Sequence, residues 1–192
     1  ARTSLTLGYS QRFFGDSYNV AFKHKTKRLT NSITYDESLE VFDRNSYQEV
    51  TPNIIELIES DEYSLNKRFA WSSQLQFSRT SFTINASTNE RKSLATNVID
   101  DTLDASLSVT RKISPKSSLS LSAAFNYKTY DKNNPLGSRQ EDYYRTISTN
   151  FTRNLASSLS CNFTVKHVNR DSTIDQFSYN ELRATINITK EF

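Results

Sequence analysis

Leu182-Arg183-Ala184-Thr185-Ile186-Asn187-Ile188-Thr189 alternates apolar and polar side chains without a break. Successive side chains of an extended strand point to opposite faces, so this stretch gives one apolar and one polar face. On a helix the same residues would be scattered around the axis. The pattern recurs upstream. Leu159, Cys161, Phe163 and Val165 alternate with Ser160, Asn162 and Thr164; Leu119, Leu121, Ala123, Phe125 and Tyr127 alternate with Ser and Asn. Leu103, Ala105, Leu107 and Val109 do the same, and so do Leu5, Leu7 and Tyr9 near the start. The pattern predicts about ten strands, over 2–12, 18–27, 31–42, 65–77, 81–92, 100–112, 117–129, 141–153, 157–168 and 177–191. Many exceed the 5–6 residues usual in soluble sheets and match the length of a tilted strand crossing a bilayer.

The connections alternate too. Short links fall near 28–30, 78–80, 113–116 and 154–156, and longer ones near 43–64, 93–99, 130–140 and 169–176. Short turns on one side and long loops on the other are the habit of outer-membrane barrels. Aromatic residues follow the same frame. Tyr9, Tyr18, Phe69, Trp71, Phe125, Tyr127, Tyr143 and Tyr179 lie toward the long-loop ends, and Phe77, Phe82, Phe151 and Phe192 toward the short-turn ends. Rings at both boundaries of an apolar band form the girdles expected where protein meets the lipid–water interface. The reading is therefore an all-β antiparallel transmembrane barrel of outer-membrane type, lying in the outer membrane of a Gram-negative bacterium. Residues 1–192 form one domain, with about ten strands in this chain that either close by themselves or are part of a larger barrel.

Composition narrows the function. The 192 residues hold one cysteine, so neither an internal disulfide nor a cysteine-rich zinc site can form. A net charge of +3 leaves no electrostatic footprint for nucleic acid. His24 and His167 belong near opposite interfaces, which argues against a shared metal site, and Cys161 falls in lipid-facing register. No GxSxG, HExxH, P-loop or CxxC motif is present. The expectation is a barrel that is not an enzyme and carries no cofactor.

The residues Gln11-Arg12-Phe13-Phe14-Gly15-Asp16-Ser17-Tyr18, then His24-Lys25-Thr26-Lys27-Arg28 and Ser32-Ile33-Thr34-Tyr35-Asp36-Glu37, resemble a block of the exosortase/PEP-CTERM-associated outer-membrane β-barrel family. Ile113-Ser114-Pro115-Lys116-Ser117-Ser118-Leu119 looks like that family's turn. Arg170-Asp171-Ser172, with Tyr179-Asn180-Glu181-Leu182-Arg183 and Phe192, resembles its closing segment. The resemblance implies that this chain is the C-terminal portion of a longer protein with a signal peptide and further strands. It also implies a link to exopolysaccharide secretion and envelope biogenesis.

The leading functional expectation is a porin-like or export-associated channel. Lys128, Lys166, Arg183, Thr185 and Asn187 are its candidate lumen-facing residues. The apolar run Ile54, Ile55, Leu57 and Ile58, inside the long acidic loop 43–64, is a candidate constriction loop. Phe192 is the candidate signal for the barrel-assembly machinery. Other expected partners are outer-membrane lipid and lipopolysaccharide, bridged by divalent cations at the acidic loops. Polysaccharide or periplasmic export proteins are expected at the basic short turns, where Lys25, Lys27, Arg28, Arg79, Arg111, Lys112, Lys116 and Arg153 collect. The alternative is a non-conducting structural barrel that anchors or scaffolds a surface or periplasmic complex.

Overall fold

A computed structural model of the chain describes residues 2–12, 15–51, 54–130, 140–156 and 159–190; for 41–62 it describes the backbone alone. The strands in chain order are β1 (Arg2–Arg12), β2 (Gly15–Lys25), β3 (Leu29–Thr51), β4 (Ile54–Gln76) and β5 (Thr80–Ser93). They continue with β6 (Ile99–Ser114), β7 (Ser117–Tyr130), β8 (Gln140–Ala156), β9 (Leu159–Ser172) and β10 (Tyr179–Lys190). A single 3₁₀ turn, Asp175–Phe177, precedes β10. Each strand pairs antiparallel with its sequence neighbours, so one ten-stranded meander runs from β1 to β10. No helix among the described residues is long and apolar enough to cross a membrane.

Burial inverts the pattern of a water-soluble sheet. Among the described residues no apolar side chain is buried, while Ser17, Ser64, Asn66, Ser93, Thr129 and Asp142 are. Leu182 is 73% exposed, Leu7 69%, Ile188 67% and Ile186 65%. A soluble monomer seldom leaves a continuous apolar face of this extent uncovered. Such a face suits hydrocarbon, as in an outer-membrane barrel whose apolar residues face lipid.

The rungs show how the strands lean. On β1 and β2 the apolar band centres on the rung Leu7–Val20. Followed strand by strand, that rung reaches Tyr35, Phe69, Thr88, Leu103, Tyr127, Tyr143 and finally Asp171 on β9. The apolar band on β9 instead centres on Phe163 and Val165, well below Asp171 along the strand. A band level with the membrane therefore crosses the rungs obliquely, which is the stagger that strand tilt imposes on a barrel wall.

Two expectations need correction. The predicted loop 43–64 is strand almost throughout. β3 and β4 stay in register from Leu29–Leu75 up to Glu49–Ile55, with an irregularity between Glu49 and Thr51. Ile54, Ile55, Leu57 and Ile58 thus lie in β4 rather than in a loop. The rungs pair Leu39 with Leu65, Val41 with Tyr63 and Tyr47 with Leu57, so the backbone ladder runs on through the stretch expected to be a loop. Each arm is 23 residues, about twice what a bilayer crossing needs. The second correction concerns Tyr179. It is the rung partner of Arg170, which places it on the polar face and not in the lipid-facing girdle.

The expected turn at 154–156 is instead the end of β8, and most of the expected loop 130–140 lies outside the described residues. Residues 26–28, 77–79 and 115–116 join strands on one side, and 94–98 and 173–178 on the other. Gly15, at the start of β2, has φ 118°, a conformation that L side chains rarely adopt. Phe192 lies outside the described residues.

Candidate functional site

The polar face is the candidate site, because an ion-pair network, a ladder of hydroxyl and amide groups and a run of cations follow one another along it. Rung partners share a face, so the register assigns every side chain. A recess of about 630 Å³ opens on this face at the long-loop end of β3 to β7. Its wall holds Asp36, Glu40, Arg68, Arg91, Asp100, Asp104 and Lys128 among neutral Ser, Thr and Asn side chains.

Opposite charges interleave there. Arg91 Nη2 donates to Asp100 Oδ2 at 2.8 Å, Asp36 lies on the rung of Arg68, and the Asn126 amide donates to Asp104. Next to the recess, on β8 and β9, Arg170 Nη2 donates to Asp142 Oδ2 at 2.8 Å. Asp142 has no exposed surface at all. Gln140 Nε2 donates to the same oxygen at 3.3 Å. The Arg170 guanidinium also lies against two rings, 5.1 Å from the Tyr144 centroid and 5.3 Å from that of Phe177. Because Arg170 and Tyr144 are polar-face residues, the Phe177 contact draws the β9–β10 connection over that face. The backbone holds it there, through Thr173 N–H to Glu141 O at 3.0 Å.

Toward the middle of the wall the charges give way to a ladder of hydroxyl and amide groups. Ser72 Oγ donates to Asn85 Oδ1 at 2.8 Å, and Asn85 Nδ2 donates to Ser106 Oγ at 3.2 Å. Ser122 and Ser148 hydroxyls meet at 2.7 Å, Thr110 and Ser120 at 2.9 Å. Asn150 Nδ2 donates to Thr164 Oγ1 at 3.2 Å. Small polar groups bonded to one another line the wall without filling it.

From the middle of the wall down to the short turns, every charged residue of the polar face among the described residues is a cation. These are Arg2, Lys23, Lys25, Lys112, Lys166 and Arg183. Two pairs of them are direct rung partners, Arg2 with Lys25 and Lys166 with Arg183. Like charges directly opposite on one face are destabilising, so such pairs carry a standing electrostatic cost. Arg183 offsets part of it through Glu181, at 2.6 Å.

All five residues singled out from the sequence therefore fall on one face, at different places. Lys128 stands in the recess, on the rung of Asp142. Lys166 and Arg183 meet in mid-wall, with Thr185 opposite Thr164 and Asn187 opposite Asn162 below them. The sequence reading missed Asp36, Arg68, Arg91, Asp100, Asp104 and the Asp142–Arg170 pair. Their strand parity was visible, but which strand's rung each one meets was not. The histidines stay on the apolar face and apart, His24 bonded to Thr3 at 2.8 Å and His167 to Asn180 at 2.7 Å.

No protein-family model matches the chain, and no curated protein matches it in sequence. Solved structures do match in shape. In-vitro folded OmpT, an outer membrane protein of Vibrio cholerae, superposes with a TM-score of 0.62 at 11% identity, over 96% of this chain and 56% of that chain. Its loop L8 deletion mutant gives 0.62 at 11% identity, over 98% and 59%. OmpT expressed in the outer membrane gives 0.60 at 10% identity, over 81% and 46%. The fold is thus that of an outer-membrane β-barrel protein, and the chain spans about half the length of the structures it matches. At this identity the likeness concerns fold and not chemistry.

Proposed function

We propose that this chain builds the wall of an outer-membrane channel that carries an anionic hydrophilic solute outward from the short-turn side. The supporting observation is the one-signed charge of the lower polar face, above all the opposed pairs Arg2–Lys25 and Lys166–Arg183. A concave surface lined with one sign of charge raises the local concentration of the opposite ion. An anion between such pairs would relieve their repulsion. In outer-membrane barrels the short turns are periplasmic, so the cationic region would meet periplasmic solute first. The solute would next pass the neutral hydroxyl and amide ladder, which offers hydrogen bonds without fixed charge. It would leave through a mouth where acids and bases alternate and no anion is held strongly.

The family resemblance of the sequence motifs gives this solute a natural identity, an acidic exopolysaccharide chain. The channel would then serve exopolysaccharide secretion or a related envelope process, with periplasmic export proteins docked at the short turns. Lipopolysaccharide would surround the long-loop end. Planar-bilayer recording of the complete natural protein tests the reading. Stable conductance with a preference for chloride over potassium, blocked by an acidic polysaccharide from the short-turn side, is the expected result. A correctly folded but silent barrel would sink it and favour the scaffolding alternative.

A further inference from the structure

The short-turn end carries a second feature, on the lipid-facing side rather than in the channel. A recess of about 520 Å³ lies between the β6–β7 turn and the end of β8, walled by Ser114, Lys116, Ser117, Arg153, Asn154 and Leu155 among others. Its frame is fixed. Ser114 and Ser117 hydroxyls meet at 2.6 Å, Lys116 N–H donates to Ser114 Oγ at 3.2 Å, and Asn154 N–H donates to Lys116 O at 2.8 Å.

We propose that this recess is a headgroup site for an anionic phospholipid of the leaflet on the short-turn side. Three observations carry it. First, Arg153 has the parity of Phe151 and is the rung partner of Cys161, so it belongs to the apolar, lipid-facing side at the foot of the band. Second, Lys116 and Arg153 make no ion pair among the described residues, and no Asp or Glu occurs in 105–130 or 146–170. The protein thus provides two cations and, since one of the two hydroxyls donates to the other, one further hydroxyl donor, a set suited to a phosphodiester, with no carboxylate in those segments to neutralise it. Third, apolar side chains flank the donors: Leu155 is 50% exposed and Ile113 53%. A headgroup between Lys116 and Arg153 would lay its acyl chains along them, which free phosphate cannot do.

The test uses the complete natural protein in vesicles of phosphatidylethanolamine with an equal amount of phosphatidylglycerol. After extraction into mild detergent, native mass spectrometry counts the lipids retained. The expected result is preferential retention of phosphatidylglycerol, reduced about fivefold for each cation removed in Lys116→Gln and Arg153→Gln. Arg145→Gln, a cation on the apolar face toward the opposite end, should leave the preference unchanged. Folding of each variant is checked by heat-modified migration in a denaturing gel. If a variant does not fold, competition on the unaltered protein decides. Isotope-labelled phosphatidylglycerol should displace the retained lipid, whereas inorganic phosphate at the same concentration should not. Equal retention of the two lipids would overturn the proposal, as would displacement by phosphate. So would a folded Lys116→Gln/Arg153→Gln variant with unchanged preference, or an equal loss in Arg145→Gln, since diffuse charge would then suffice.

Discussion

The two ends of the polar wall follow different electrostatic rules. At the long-loop end opposite charges are paired: Arg91 with Asp100, Arg170 with Asp142, Asp36 on the rung of Arg68. From mid-wall to the short turns cations stand alone or face other cations, apart from Arg183 beside Glu181. The first arrangement lowers the energy of the folded wall itself. The second raises it unless something anionic is nearby. Charge on one face of one sheet thus serves order at one end and, in our reading, passage at the other.

The comparison breaks most sharply at Asp142. Asp142→Ala would leave Arg170 partly buried without its counter-ion and should destabilise the barrel by about 3 kcal/mol, read from urea unfolding in lipid vesicles. A loss below about 1 kcal/mol would mean that the rings of Tyr144 and Phe177 hold Arg170 unaided.

A slightly smaller effect separates the two faces. Ile186→Arg, on the apolar face, should cost about 2–3 kcal/mol in the same assay, because an arginine there must sit in hydrocarbon. Thr185→Arg, one residue away on the polar face, should cost less than about 1 kcal/mol. If the two variants behaved alike, the facing of β10 derived from its register would be wrong.

The cation-only half is examined through selectivity rather than stability. Replacing Lys25, Lys166 and Arg183 together by Gln should lower the chloride-to-potassium permeability ratio by roughly fivefold at low salt, with less difference at high salt. It should also raise stability slightly, since the opposed pairs Arg2–Lys25 and Lys166–Arg183 are relieved. An unchanged ratio would detach the lower wall from any role in passage. The smallest effect belongs to the neutral ladder. Ser122→Ala removes one hydroxyl contact with Ser148 and should cost about 0.5–1 kcal/mol, with selectivity unaltered.

Much of the fold was legible in the alternation itself. Ten strands were expected, and ten are present in one antiparallel meander. The β10 pattern of Leu182, Ala184, Ile186 and Ile188 needed no tertiary information, because the period of two is a property of the extended backbone. The β3–β4 hairpin was misread because the local signal fails there. The apolar–polar alternation lapses across 43–64, and only the pairing of two distant arms shows that the strands continue. Site legibility divides along the same line. Lys128, Lys166, Arg183, Thr185 and Asn187 could be assigned to one face by counting in twos along their own strands. The Asp142–Arg170 pair could not be found so, because a 28-residue separation says nothing about which rung each occupies.

By itself, then, the sequence determined the class of fold, the two faces of each strand and the excess of cations near the short turns. Each of these follows from local backbone geometry and from the order of residues along a strand. The tertiary structure alone decided which charges meet, that the β3–β4 arms zip together through 43–64, and that Phe177 draws its connection over the polar face. Those outcomes depend on the register between strands. Register is a collective result of many weak rung contacts, and no single strand encodes it.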